Sequence, residues 1–432
     1  MERTHPEDFT DQERIEVRPS GPLEGSVVIS GAKNSVLKLM AACLLTEGTF
    51  TIRNVPDIED VKVMGDVLRH IGVSVHRADN ALVIQRPALI TGEVPYALTE
   101  QLRASTAVLG SLLAGIGNAR VALPGGDDFG HRPIDIHVAA LEAIGCRLKI
   151  SGGDIYATLD NLVGNPVLLE YPSVGATENL MMAATRATGT TVIDNAAREP
   201  EIADLAVFLN QMGAKVSGAG TSTICVEGVG ELHPADHTVV ADRIEAATYL
   251  AAVGVAGGEV TLEGARGDHL AIFCRKLEEM GVRTAKAANG IMATAMNRLQ
   301  AADVSTLPYP GLPTDTKPLL VAILSVADGV SIVTENLFSG RFRYVDELLR
   351  MGADIRTEGH HAVVRGVKRL SGAPVRAHDI RAGAAMVLAG MAAEGLTTVL
   401  DVHHIDRGYE NLVGKLGSLG ADVQRLGVLD VC

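Results

Sequence analysis

The chain has 432 residues, and 52 acidic against 38 basic side chains give it a formal net charge of −14 at pH 7. Such an acidic surface argues against a general affinity for nucleic acid or anionic membranes, so an anionic substrate needs a local basic cluster. Hydrophobic residues make up 47% of the chain, which excludes a disordered protein, and the absence of Trp argues against stacking platforms for single-stranded nucleic acid. The five cysteines form no CxxC pair, which is typical of a reducing compartment.

The amino-terminal segment bears on localisation. The first sixteen residues are polar and charged, and they lack the apolar core of a signal peptide. Apolar runs elsewhere in the chain fall well short of the ~18 residues that span a bilayer. We therefore expect a soluble, cytoplasmic protein.

An internal repeat of about seventy residues organises the chain. Six apolar helical patterns each end in a glycine, at Gly72, Gly145, Gly213, Gly281, Gly352 and Gly420. Apolar residues precede each glycine at helical period, as Leu205, Leu209 and Met212 do in the third copy. We expect each glycine to end an amphipathic helix in the left-handed conformation, with a strand before each of these helices and another after most of them.

Each copy also contains a second helix, which is apolar nearly all round and rich in Ala. These helices are predicted to begin near Asn34, Arg103, Thr177, Asp242, Asp315 and Arg381. Apolarity on every side predicts that each helix is buried inside its own unit. Their polar or charged first residues then place charge at helix amino termini, which favour anions.

The six copies predict an α/β protein with two domains of three copies each. The strand-like segment at 15–20 has no repeat of its own and is predicted to complete a unit of the second domain. The predicted boundaries are 33–241 for the first domain, and 1–32 together with 242–432 for a discontinuous second domain.

Two polar segments allow both a structural and a functional interpretation. The loop 124–133 contains two glycines followed by Asp127 and Asp128, and it is either a solvated turn or a closing lid that carries an acid. Lys33 directly precedes a buried helix and is either solvated beside a capping turn or part of a site.

Other charged positions have simple structural interpretations. Asp242 and Arg243 favour an internal ion pair, Asp315 favours a helix N-cap, and His137 favours a hydrogen-bonded core histidine. Arg341 stands where other copies carry an apolar residue, and a buried guanidinium needs an anionic partner. The histidine doublets lack a third ligand at metal spacing, so no metal site is predicted.

Basic residues collect at the ends of the repeats or out of register. They are Lys33, Arg103, Arg132, Arg341, Arg381 and Arg407. In an acidic protein, cations at equivalent ends of repeats predict a pocket for a polyanionic substrate.

Sequence motifs along most of the chain match a known family. They include GAKNSVLKLMAA, LRAST, LPGGDDFGHRPIDIH, PSVGATEN, NAAREPEI, DRIEAATYL, LPTD, TENLFSGRF, DIRAGAAMVLAG and HHIDRGYE. The chain resembles the enolpyruvyl transferases. The resemblance implies two inside-out α/β barrel domains of three repeats each, which close over substrates between them, with 124–133 as a mobile catalytic lid.

The resemblance also implies a reaction. The enolpyruvyl group of phosphoenolpyruvate would pass to the 3-hydroxyl of UDP-N-acetylglucosamine through a tetrahedral ketal, with release of phosphate, as the first committed step of peptidoglycan precursor synthesis for the cell wall. No metal or organic cofactor, nucleic acid, membrane partner or oligomer is predicted. One alternative is a paralogue that acts on another uridine nucleotide, such as UMP in nucleoside-antibiotic biosynthesis. Another is a catalytically silent regulator that binds a nucleotide sugar.

Roles carry over by position. As catalytic residues, Lys33 and Arg407 would hold phosphoenolpyruvate, together with Arg132. Asp315 would take the proton of the sugar hydroxyl, and Asp127 would occupy the lid position. The other implied substrate-binding residues are Asn34, Arg103, Arg132, Pro133, Asp135, Ile136, Ser173, Val174, Gly175, Glu199, Asp242, Leu337, Phe338, Arg341, Asp379 and Arg381.

The chain departs from the family pattern at several positions. Asp127 replaces a frequent Cys, which predicts resistance to fosfomycin because that inhibitor alkylates the Cys. Lys317 stands where a Gln is expected, and Ser339–Gly340 and Arg343 replace bulkier or apolar residues. These last changes represent neutral drift or a change of acceptor.

Overall fold

The computed structural model describes residues 12–123, 134–338 and 340–427. In the described residues the strands are β1 (Arg14–Val17), β2 (Leu23–Val28), β3 (Gly48–Arg53), β4 (Ser74–Ala78), β5 (Ala81–Arg86), β6 (Glu93–Val94), β7 (Asn118–Ala122), β8 (Cys146–Ser151), β9 (Asp154–Leu159), β10 (Pro166–Leu168), β11 (Thr190–Asp194), β12 (Lys215–Ser217), β13 (Thr223–Glu227), β14 (Asp236–Thr238), β15 (Gly258–Glu263), β16 (Arg283–Ala287), β17 (Gly290–Ala295), β18 (Val304–Ser305), β19 (Val330–Thr334), β20 (Asp354–Glu358), β21 (His361–Arg365), β22 (Leu370–Ser371), β23 (Pro374–Arg376), β24 (Ala393–Glu394), β25 (Thr397–Leu400) and β26 (Val423–Leu426). The α-helices are α1 (Lys33–Ala42), α2 (Glu59–Ile71), α3 (Tyr96–Thr99), α4 (Val108–Ile116), α5 (Asp135–Glu142), α6 (Val174–Ala184), α7 (Pro200–Gln211), α8 (Arg243–Ala256), α9 (Ala271–Met280), α10 (Lys317–Leu324), α11 (Val345–Arg350), α12 (Ile380–Met391), α13 (His403–Asp406) and α14 (Leu412–Ser418).

Within the described ranges, β22 and β24 pair in a small parallel sheet, and the other strands form six four-stranded sheets, one for each copy of the repeat. Every four-stranded sheet has the same plan: an edge strand runs parallel to its neighbour, and the next two strands are antiparallel. In the third copy, for example, the order is β10–β11–β13–β12. The repeat predicted from the glycine spacing is therefore a repeat of sheets as well as of helices.

The amphipathic helices end as the glycines predict. All six glycines have positive φ, from 86° at Gly352 to 113° at Gly281, which is the left-handed conformation of a helix end. The apolar positions before them are buried, and Leu205, Leu209 and Met212 are each 0% exposed. These helices therefore pack their apolar side against the interior of their own unit.

The second helix of each copy is buried inside its unit, as its apolarity predicts. These helices are α1, α4 and α6 in one unit and α8, α10 and α12 in the other. Every residue of α12 is buried, and α12 packs against both α8 and α10. Helices inside and sheets outside make each unit an inside-out α/β barrel.

The described residues divide into two compact units. One contains residues 12–30 and 241–427, and the other contains 31–123 and 134–240. The amino-terminal strand β1 lies between β25 and β26 in the sixth sheet, where it fills the place of a strand that the last copy lacks. The unit that contains the carboxyl terminus is therefore discontinuous in sequence.

Three of the predicted helix starts need correction. The helix predicted from Thr177 begins at Val174. Short 3₁₀ turns precede two other helices: Arg103–Ala107 comes before α4, and Thr314–Thr316 comes before α10. The second of these turns carries Asp315, and it changes what that side chain can reach.

Candidate active site

Aspartates lie at the starts of all three buried helices in the unit that contains β1, but their carboxylates have different hydrogen-bond partners. Asp242 caps α8, because its Oδ1 accepts hydrogen bonds from the backbone of Ile244 at 2.7 Å and Glu245 at 3.1 Å. Asp379 caps α12 in the same way, through two backbone N–H groups at 2.8 and 2.9 Å. Their carboxylates thus stabilise helix amino termini.

The N-cap predicted for Asp315 is wrong. Asp315 is the middle residue of the 3₁₀ turn, and the cap position of α10 is Thr316, whose side chain makes no capping hydrogen bond. The Asp315 carboxylate instead accepts a hydrogen bond from Nη1 of Arg341 at 2.7 Å, and its other oxygen lies 3.7 Å from Nε of Arg381. Asp315 is thus turned toward two cations, and its side chain is 28% exposed.

Arg341 and Arg381 are the cations of this cluster, and both are almost completely buried. Burial alone would lower the pKa of Arg341, but the carboxylates of Asp315 and Asp379 outweigh it and raise that pKa. Nη2 of Arg341 lies 3.9 Å from Asp379. The expectation that Arg341 needs an anionic partner is met by these two aspartates.

Arg381 has a different set of neighbours. Its guanidinium lies over the ring of Tyr409, 5.1 Å from the centroid, and the Tyr409 hydroxyl is 2.7 Å from Thr248 Oγ1. Burial opposes the charged form of Arg381, whereas Tyr409, Asp315 and Asp242 favour it and raise its pKa. Both guanidiniums therefore stay positive at any ordinary pH.

Glu335 accepts hydrogen bonds from residues next to this cluster, and it was not among the predicted site residues. Its two oxygens accept hydrogen bonds from Thr306 and Thr314, each at 2.7 Å, and from the backbone of Leu337 at 2.8 Å. Leu337 and Phe338, two implied substrate-binding residues, are half-buried and lie two and three residues after Glu335. In sequence Glu335 stands between the polar residues Thr334 and Asn336, so no local signal sets it apart from a solvated acid.

Lys33 and Asn34 lie at the start of α1 in the other unit, and both are half-buried. Nζ of Lys33 is 2.7 Å from Oδ2 of Asp60, a carboxylate that is 2% exposed. Sequence reasoning missed Asp60, which occupies the first turn of α2. The pair holds the Lys33 ammonium at an amino-terminal helix end, where it can meet an anionic substrate.

Ser173, Val174 and Gly175 lie at the amino terminus of α6, in the same unit as Lys33. Ser173 is the N-cap residue, and its hydroxyl accepts from the backbone of Ala176 at 3.4 Å. A helix start leaves backbone N–H groups available to an anion, which suits the diphosphate-binding role implied for this segment. His137 is half-buried and hydrogen-bonded to Asn179 at 3.1 Å, so it is hydrogen-bonded as predicted but not fully in the core.

Glu199 lies in this unit near a buried glutamate that is paired with a lysine. Glu199 is the N-cap residue of α7 and lies near Glu178, which pairs with Lys38 at 2.8 Å. Burial raises the pKa of Glu178 to about 7, with Lys38 opposing this shift and Glu201 and Glu199 adding to it. The Lys38–Glu178 pair was not predicted, although Lys38 and Glu178 both lie in helices that their apolarity predicts to be buried.

The remaining predicted site residues are spread over both units or lie outside the described ranges. Asp135 and Ile136 begin α5, exposed and half-buried respectively. Arg407 follows α13 and is half-buried, and Arg103 begins the 3₁₀ turn before α4. Asp127, Arg132 and Pro133, the lid 124–133 and Ser339 lie outside the described residues, as does the side chain of Arg103.

The described cluster suits proton abstraction beside an anion. A carboxylate such as Asp315 can take a proton from a hydroxyl, and fixed guanidiniums can stabilise charge that develops on a phosphate or carboxylate. Within the parts of the chain that the structure describes, no group of three His, Cys, Asp or Glu side chains is arranged to hold a metal ion. In the same parts, no helix combines the length and the apolarity needed to cross a membrane.

Comparison with known proteins identifies the family. The model of EPSP synthase (3-phosphoshikimate 1-carboxyvinyltransferase) matches residues 17–416. The chain belongs to the enolpyruvyl transferase family. Among its relatives, the UDP-N-acetylglucosamine 1-carboxyvinyltransferases of Nocardia farcinica and Mycobacterium tuberculosis are 50% and 49% identical to it. Each comparison covers 96% of this chain and 99% of the relative.

Solved structures of enolpyruvyl transferases share the fold. NikO from Streptomyces tendae, an enolpyruvyl transferase, matches with a TM-score of 0.86 and 25% identity over 96% of this chain and 99% of that one. EPSP synthase from Acinetobacter baumannii matches with a TM-score of 0.72 and 17% identity over the same shares of the two chains. The inside-out barrels predicted from the resemblance are therefore confirmed.

Proposed function

We propose that this enolpyruvyl transferase transfers the enolpyruvyl group of phosphoenolpyruvate to the 3-hydroxyl of UDP-N-acetylglucosamine and releases phosphate. Relatives with that name and about half-identical sequences, matched over nearly their whole length, support the choice of substrates. The observation that carries the chemistry is the Asp315 carboxylate, which a 3₁₀ turn directs toward the guanidiniums of Arg341 and Arg381.

The addition step needs a base, an acid and fixed positive charge. Asp315 takes the proton of the sugar hydroxyl while the hydroxyl oxygen forms a bond to C2 of phosphoenolpyruvate. An acid delivers a proton to C3 in the same step. Asp127 is our candidate for that acid. The product is a tetrahedral ketal that still carries its phosphate and carboxylate.

The elimination step moves the C3 proton back to the group that delivered it. The double bond forms again, the bond between C2 and the phosphate oxygen breaks, and the departing phosphate takes up the proton that Asp315 holds. Arg341 and Arg381 keep their charge throughout, so no reorganisation is needed when charge moves onto the departing phosphate.

The acceptor is tested by turnover. Purified protein is incubated with phosphoenolpyruvate and either UDP-N-acetylglucosamine or UMP, and phosphate release and product mass are measured. We expect turnover with the sugar nucleotide alone. Turnover with UMP alone would replace the proposed acceptor. Binding without turnover in either mixture would favour the silent regulator.

The base is tested by Asp315→Ala. We expect turnover to fall by at least about 100-fold, because a positioned base contributes on that order, while calorimetry still detects binding of the sugar nucleotide. Asp268→Ala is the matched control, since Asp268 is an exposed carboxylate of the same unit that pairs with Arg266. Turnover that survives in Asp315→Ala would remove Asp315 from the mechanism.

A further inference from the structure

Lys317 is a completely buried cation two residues after Asp315. Its side chain and that of Glu335 are both 0% exposed, and Nζ lies 2.9 Å from Glu335 Oε2. The same ammonium donates a hydrogen bond to the backbone carbonyl of Arg341 at 2.5 Å, and it lies 3.8 Å from the centre of the Phe342 ring. The carboxylate and the carbonyl thus bind two sides of the ammonium, and the Phe342 ring adds a cation–π contact.

Glu335 links Lys317 to the turn that carries Asp315. Glu335 Oε2 accepts from Thr314 Oγ1 at 2.7 Å, and Thr314 precedes Asp315. The Thr314 hydroxyl also lies 3.2 Å from Nη1 of Arg341. One buried ion pair therefore contacts both the turn that holds the carboxylate and the residue that supplies its guanidinium.

We propose that Lys317 is a positioning residue: by holding the Arg341 carbonyl and Glu335 together, it fixes the Arg341 guanidinium against the Asp315 carboxylate for enolpyruvyl transfer. The inference rests on the proposed function for the role of Asp315. Stability alone does not account for the pair, because replacing a buried ion pair with apolar groups of similar volume is often neutral or stabilising. Since Lys317 is fully buried, it acts on the reaction through Arg341 rather than by touching an acceptor.

The charge of Lys317 responds to pH near the working range. Burial lowers its pKa to about 8, with Glu335 and Asp379 opposing this shift and Arg341 adding to it. Glu335, Arg341 and Tyr344, which face it, keep their protonation states there, because the pKa of Glu335 is lowered and those of Arg341 and Tyr344 are raised. As pH rises through 8, the neutral amine loses its ion pair and its attraction to the Phe342 ring, and kcat is expected to fall.

The test removes both charges together. Lys317→Met alone would leave Glu335 buried without its cation, so the main variant is Lys317→Met with Glu335→Gln, which keeps the side-chain volumes. We expect its kcat to fall by about 10- to 100-fold, as for a misplaced catalytic group, with KM for both substrates changed far less. The decline of kcat around pH 8 should disappear with the lysine.

Lys415→Met with Glu245→Gln is the matched control. Lys415 pairs with the buried Glu245 at 2.6 Å in the same unit, so this change removes both members of a similar pair elsewhere. We expect the control to keep the wild-type kcat and its decline near pH 8. A Lys317→Met/Glu335→Gln variant with the kcat of the control, or one whose kcat still declines near pH 8, would overturn the proposal.

A wild-type protein without transfer activity would count against the proposed function. The positioning role of Lys317 would then be tested by crystallography instead of kinetics. Crystal structures of the wild type and of the Lys317→Met/Glu335→Gln variant would be compared at the contact between Arg341 and Asp315. A contact that is lost only in the variant supports the positioning role, and a contact retained in both overturns it.

Discussion

Charge balance, rather than helix capping, governs the side chain of Asp315. Two guanidiniums, from Arg341 and Arg381, face two carboxylates, from Asp315 and Asp379, so the cluster is close to neutral at rest. When Asp315 takes up a proton, the charge of the cluster rises by one. The added positive charge arises where an anionic ketal would need it, which ties the base to the electrostatics of the proposed reaction.

Residues differ in how far their roles could be predicted. The need of Arg341 for an anion follows from its place in an apolar register, and the structure supplies Asp315 and Asp379. The burial of Lys317 could not be predicted, because a lysine in sequence is normally interpreted as solvated. Glu335 and Phe342, which make that burial tolerable, reach Lys317 only through folding.

Asp127, at the lid position that the family resemblance implies, supplies a prediction that rests on thiol chemistry. We expect fosfomycin to leave the wild-type protein active and unmodified, whereas Asp127→Cys gains time-dependent inactivation. The thiolate attacks an epoxide carbon, the carbon–oxygen bond opens, and the freed oxygen takes up a proton. Intact-mass measurement should show one added inhibitor mass on the variant alone.

The wild-type protein is itself the control in that experiment. Burial raises the pKa of the Cys146 and Cys274 thiols to about 11, and it raises that of Cys43 further, so these native thiols are poor nucleophiles. An adduct on wild-type Asp127, or an Asp127→Cys variant that the inhibitor does not touch, would contradict the lid assignment.

Helix ends show which elements a sequence can predict. The six helices that end in glycine depend on local chemistry, namely the left-handed conformation, and all six were predicted. At the starts of the buried helices α8, α10 and α12, Asp242, Asp315 and Asp379 present the same local signal. Only the folded structure separates them: Asp242 and Asp379 accept capping hydrogen bonds, whereas the Asp315 carboxylate accepts from Arg341 and lies beside Arg381.

Two of these glycines form a matched pair for testing helix ends. Gly72 and Gly145 have φ of 104° and 100° in the same unit, so Ala brings similar backbone strain at both, about 1–2 kcal/mol. A Cβ at Gly72 would meet only atoms at 3.9 Å or beyond, whereas at Gly145 it would lie 2.2 Å from the Asn161 carbonyl oxygen. Gly145→Ala should therefore lower the free energy of unfolding clearly more than Gly72→Ala.

Denaturant unfolding, followed by circular dichroism, compares these two variants with the wild type. Equal losses would show that the Asn161 segment moves aside at no cost, so that strain at the glycine alone limits stability. A loss at Gly72→Ala close to zero would contradict the argument from the left-handed conformation.

At the scale of the whole molecule, the two units share a chemical feature as well as an architecture. Each holds one buried glutamate on an interior helix, paired with a lysine: Glu178 with Lys38 in one unit, and Glu245 with Lys415 in the other. Burial is the largest cause in both cases and raises each pKa to about 7, with the lysine opposing it. Stability should therefore depend on pH through both units.

The sign of this dependence follows from proton binding. The folded chain holds protons on Glu178 and Glu245 up to about pH 7, whereas the unfolded chain releases them near the ordinary value of 4.5. Their stabilising effect is complete below pH 4.5 and is lost as pH rises through 7. We expect Glu178→Gln and Glu245→Gln each to reduce the fall in Tm between pH 5 and 8, measured by calorimetry, because a Gln does not ionise.

A variant with both Glu178→Gln and Glu245→Gln tests whether the two glutamates affect stability independently. If the two sites act independently, the reductions in pH dependence measured for Glu178→Gln and Glu245→Gln should add in the double variant. Glu259→Gln, an exposed change on β15, serves as the control and should leave the pH dependence of Tm as it is in the wild type. Single variants whose Tm falls with pH just as the wild type's does would show that both glutamates are already ionised in the folded protein at pH 5, with their lysines outweighing burial.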